Sequence, residues 1–191
     1  MVIPEVRDNR VMTKQNLPEV WLRGPLADIA PMLQPVAHGL LQCREEVTAH
    51  VPGLTPEQIW ITPFGAASVG FHVRHAAGSL DRLFTYARGE QLSAAQRAAL
   101  VSEGAPDLGP NIAPRLVAAF DEAVEQALAQ LRATDEATLL AFRGVGRAQL
   151  PSTVLGLLFH AAEHTQRHVG QLVTTVRVIV GSASAPQSPA D

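Results

Sequence analysis

Apolar residues return every three or four positions along four stretches of this chain, the spacing of helices that bury one face. The first stretch runs from about Pro31 to His50, where Met32, Leu33, Val36, Leu40, Cys43 and Val47 make the repeat. Pro31 and Pro35 fit only its opening turn, where a missing N–H costs no helical bond. Pro52-Gly53 then breaks the chain. A second helix is expected from about Ala66 to Arg88, closed by Gly89 as a C-terminal cap. A short helix follows near Ser93 to Val101, with Ser93 placed to cap it. Glu103 to Pro110 (EGAPDLGP) reads as a loop. The third long helix covers about Ile112 to Ala133, with Leu116, Phe120, Val124, Ala127, Leu128 and Leu131 on its inner stripe. Between Leu139 and Leu150 the glycines and alternating residues of LLAFRGVGRAQL predict a hairpin or extended crossover. The last long helix begins near Pro151-Ser152 and reaches about Val180.

Four long helices with one longer crossover before the last predict an all-α fold, a single four-helix bundle over residues 26–181. Residues 1–25 read as an irregular segment lying over the outside of the bundle. Residues 182–191, SASAPQSPAD, read as a disordered tail. There is no internal repeat and no domain boundary, and 191 residues give room for one real core.

Charge narrows the partners. The net charge is -3 and the basic residues are scattered, so there is no nucleic-acid footprint. No uncharged apolar run reaches the roughly 18 residues of a membrane span. The N-terminal stretch carries Glu5, Arg7, Asp8 and Arg10 and lacks the apolar core of a signal peptide. Cys43 is the only cysteine, which rules out an internal disulfide and a thiolate-built zinc site. These features fit a cytoplasmic protein.

The seven histidines change the picture further. Five of them, His72, His75, His160, His164 and His168, fall on the second and last predicted helices. Residues four apart on a helix share a face, so two such imidazoles can reach one ion. His160 and His168 are roughly 12 Å apart along the helix and cannot both join it. On a wheel of about 100° per residue with His164 at zero, His168 falls with Val154, Leu157, Ala161, Leu172 and Ile179 in an arc of roughly 20° to 80°. His160 lies at about -40°, near the edge of that stripe. His164 and His168 are therefore the candidate pair. Burying two imidazoles without partners is costly, which favours a shared ligand. The third would come from His72 or His75, and helix phase alone leans slightly to His72.

His160-Ala161-Ala162-Glu163-His164 also matches H-x-x-E-H, an inverted zinc-peptidase signature in which the glutamate serves as general base. The wheel turns Glu163 to about -100°, away from the stripe of His164 and His168. Glu163 reads as a solvated residue instead.

HAAGSLDRL on the second helix, Trp60 upstream of it and EHTQRHVGQL on the last helix together resemble the DinB-like superfamily. That superfamily includes bacillithiol transferase-like proteins and the metal-binding domain of mycothiol-dependent maleylpyruvate isomerase. The likeness spans about Leu26 to Val180. Its most specific piece is H-x-x-x-H-x-G-Q, here His164, His168, Gly170 and Gln171. The resemblance implies a four-helix bundle, a homodimer, and one divalent metal ion, zinc or nickel, held by three histidines. Two of these are His164 and His168, and the third is His75, which heads HAAGS. His72 and His160 become supporting residues that orient a ligand or a bridging water.

Three neutral histidines leave an open position, the arrangement of a catalytic zinc site. The expected activity is transfer of a low-molecular-weight thiol, or hydrolysis of a small-molecule substrate, at that metal. The alternative is a non-catalytic stress-response protein that binds metal for stability. Arg74, Arg82 and Arg167 are candidates to meet a cofactor carboxylate, and Tyr86 to line the pocket. Cys43 reads as a core residue, His38 and His50 as ordinary helix residues, and Trp21 and Trp60 as anchors that pack loops on the bundle. A site sealed by Phe71, Leu158 and Phe159 would argue against catalysis.

Overall fold

A computed structural model describes residues 17–184. Six helices lie in the order α1 (Gln34–His50), α2 (Pro56–Trp60), α3 (Val69–Ala87), α4 (Ala94–Ser102), α5 (Ile112–Ala133) and α6 (Val154–Ser184). Between α5 and α6, β1 (Phe142–Val145) pairs antiparallel with β2 (Leu150–Thr153), Phe142 facing Thr153 and Val145 facing Leu150. The protein is thus mostly helical, and its small two-stranded sheet corrects the strictly all-α expectation. The four long helices pack in a ring: α6 against α1 and α3, and α5 against α1 and α3.

The caps explain where elements begin. Ser68 Oγ accepts from Phe71 N at 3.1 Å, which starts α3 three residues later than Ala66. Ser93 and Gln96 cap each other at the head of α4, and Thr55 and Gln58 do the same for α2. That five-residue helix went unread in the sequence because it is too short for a period to show. Gly89 takes φ +81° just beyond α3, and its N–H donates to Tyr86 O, as expected of a helix-ending glycine. Pro151 and Ser152 belong to β2 rather than to the last helix. Thr153 Oγ1 accepts from Gly156 N and sets the start of α6 at Val154. At its other end α6 runs to Ser184, so residues 182–184 are helix rather than tail. The expectations for residues 1–16 and 185–191 lie outside the described residues.

A contiguous core joins α1, α3, α5 and α6 through Leu40, Leu80, Phe120, Leu128 and Leu172, all essentially without solvent contact. Cys43 lies in it, and burial pushes its thiol up to about 12, the behaviour of a packed residue. Trp60 packs over α3 where Gly70 has no side chain; a Cβ there would come within 2.7 Å of the indole. Its Nε1 donates to Asp107 O, pinning the loop after α4. Trp21 does not act as an anchor. It is 61% exposed and its Nε1 donates to Glu19.

Candidate metal centre

The packing of α3 against α6 puts His72 and His75 opposite His168 and His164. One ring nitrogen from each of His75, His164 and His168 lies within 4.8 Å of the others. His75 Nε2 and His164 Nε2 are 3.0 Å apart. The ring centroids of His168 are 4.5 Å from His75 and 4.6 Å from His164. All three side chains are half-buried. Among the described residues no cysteine, aspartate or glutamate joins this group.

The donor set suits a first-row divalent ion. With bonds of about 2.0–2.1 Å, tetrahedral nitrogens lie about 3.3 Å apart, close to the His75–His164 spacing. Imidazole must be neutral to ligate. Burial, the neighbouring histidine His75 and the Arg167 cation lower the proton affinity of His164. Burial and then His75, His164 and His72 bring His168 to about 4. Crowding thus favours the neutral form of His164 and His168.

Each ring also has a second partner. His75 Nδ1 lies 2.7 Å from Glu103 Oε2, and Arg82 Nη1 donates to Glu103 Oε1 at 2.6 Å. Glu103 and Arg82 are both buried. The carboxylate takes the Nδ1 proton of His75 as a hydrogen bond and leaves the Nε2 lone pair facing the cluster. Gly78 makes room for this ion pair, since a Cβ there would stand 2.6 Å from Glu103 Oε1. His168 Nδ1 meets His72 Nδ1 at 3.1 Å. His72 is 5% exposed, and burial lowers its proton affinity. Phe71 stacks on His75 with centroids 5.2 Å apart.

Profile comparison decides the relationship: the DinB superfamily matches residues 40–172. The chain belongs to the DinB superfamily. Comparison with curated proteins gives no match.

In this DinB-superfamily chain, the helix-phase lean to His72 selected the more buried histidine, and His75 is the one that joins His164 and His168. His160 is exposed, with Nδ1 3.3 Å from Glu163 Oε2, so the H-x-x-E-H residues assemble no site of their own. Glu103 was missed. It stood in a loop of small residues with no periodic partner to mark it. Of the three arginines, Arg82 is committed to Glu103. Arg74 donates to Ala105 O and lies over the Trp60 ring, 4.5 Å from its centroid. Arg167 alone touches the cluster, its Nη2 2.5 Å from His164 Nδ1. Tyr86 packs against the core. His38 and His50 bond the backbone carbonyls of Gly24 and Glu46.

Proposed function

We propose that this protein is a metal-dependent enzyme that transfers a low-molecular-weight thiol to an electrophilic small molecule, with His75, His164 and His168 as ligands of one zinc or nickel ion. The observation that carries this reading is the convergence of three imidazoles from two helices. A divalent ion bound there would act as a Lewis acid and lower the proton affinity of a coordinating thiol.

The protein's own residues prepare the site. Glu103 fixes the tautomer of His75, and Arg82 holds Glu103 in place. The His72 contact, Nδ1 to Nδ1 at 3.1 Å, holds the His168 ring in place. Of the side chains that would seal the site, Leu158 turns wholly into the core and Phe159 is 60% exposed, leaving Phe71 beside the histidines. A half-open cluster with an oriented ligand set supports catalysis over a metal bound for stability alone. Hydrolysis of a small substrate is the variant in which water takes the thiol's place.

The test is a screen of the zinc- and nickel-loaded protein with bacillithiol, mycothiol, glutathione and coenzyme A against an electrophilic reporter. Turnover with one thiol, lost in His164→Ala, is the expected result. Silence with all of them at full metal occupancy favours the stress-response protein.

A further inference from the structure

Arg167 carries an inference that rests on the metal reading and adds to it the class of ligand. A guanidinium has only N–H donors, so Arg167 Nη2, at 2.5 Å, makes His164 Nδ1 an acceptor. The one proton of the neutral His164 ring is then on Nε2, the atom 3.0 Å from His75 Nε2. His75 in turn donates from Nδ1 to Glu103. Donors point one way along the whole row, from Arg167 through His164 and His75 to Glu103.

Ligation by His164 through Nε2 reverses its ring. The proton must then sit on Nδ1, facing the guanidinium, and two N–H donors cannot face each other at that distance. Arg167 has to leave His164. Its side chain is 51% exposed. Glu163 offers little, with Oε1 3.9 Å from Arg167 Nε and its other oxygen 3.3 Å from His160. The cation beside the half-open cluster then keeps only the long contact to Glu163, Nε to Oε1 3.9 Å, and a guanidinium pairs best with a planar carboxylate held closer than that.

We propose that metal loading releases Arg167 from His164 to bind a carboxylate on the small-molecule ligand, so that the loaded site selects anionic ligands over neutral ones carrying the same donor atom.

The probe pair is mercaptobutanoate and mercaptobutanol, whose chains are too long to close a small chelate ring. Each is titrated into the cobalt(II)-loaded full chain and followed by the visible absorption of the metal. The acid is expected to bind about tenfold more tightly than the alcohol. In Arg167→Gln the two should agree within about twofold, with the affinity for the alcohol retained. Arg177→Gln removes the same charge from an exposed position further along α6 and should keep the preference. Equal affinities in the wild type overturn the proposal. So does a preference that survives Arg167→Gln, or one equally lost in Arg177→Gln. A protein that takes up no cobalt overturns the metal reading itself, and this proposal with it.

Discussion

Glu103 Oε2 lies 2.7 Å from His75 Nδ1, joining a loop carboxylate to a histidine 28 residues earlier in the chain. The contact decides which nitrogen of His75 faces His164, and Arg82 anchors it from below. Glu103→Gln keeps the shape and removes the charge. Metal affinity should fall about 10- to 100-fold, the usual cost of losing such a partner. The metal-free protein should lose on the order of 3 kcal/mol, because Arg82 stays buried without its counter-charge. Metal titration and urea denaturation check both numbers. An unchanged affinity would show that the carboxylate does not act on His75.

Gly78→Ala tests the same contact from the helix side. Alanine ordinarily gains up to about 1 kcal/mol over glycine within a helix. Here its Cβ would stand 2.6 Å from Glu103 Oε1 and 2.7 Å from Arg82 Nη1. Overpacking should outweigh propensity, for a net loss of about 1–3 kcal/mol and weaker metal binding. A stabilised variant would contradict the close approach.

His72 and His160 separate a buried partner from a surface one. His72→Phe preserves bulk but removes the nitrogen that meets His168 Nδ1. Metal stoichiometry should hold while affinity drops about tenfold or more. His160→Ala should leave both unchanged, as its ring is exposed, its Nδ1 faces Glu163 and it meets His164 only ring to ring, with centroids 5.6 Å apart. Equal losses in both variants would remove His72 from its supporting role.

Stability of the metal-free protein should depend on pH in a definite direction. Burial and the surrounding histidines lower His168 from the ordinary 6.5 to about 4, and shift His72 and His164 the same way. An unfolded chain binds these protons more readily, so acid favours unfolding. The urea midpoint should be flat above about pH 7 and fall between about pH 6.5 and pH 4. In His168→Gln that slope should be shallower. A midpoint constant down to pH 5 would contradict the crowding.

Much of the site was legible in sequence because a long helix writes its buried face as a period. His164 and His168 stood out on α6 for that reason, and the stripe kept Glu163 away from them. The choice between His72 and His75 was not legible from phase, which measures burial. The histidine nearer the stripe's centre is the more buried, whereas the one at its edge meets His164. The family motif carried that information instead. Glu103 and the hairpin register depend on contacts between segments far apart in the chain. No local pattern marks a loop glutamate that will sit under α3 because Gly78 lacks a side chain. The start of α6 was misplaced for a different reason. Pro151 fits a helix's first turn and an edge strand equally well, and the pairing of Leu150 with Val145 decided for the strand.

The central claim is that His75, His164 and His168 hold one divalent ion. The most direct measurement is elemental analysis of the purified protein, dialysed after loading with zinc or nickel, beside His164→Ala and His168→Ala. One ion per chain in the wild type and none in either variant is the predicted result. One ion per chain retained in both variants would contradict it.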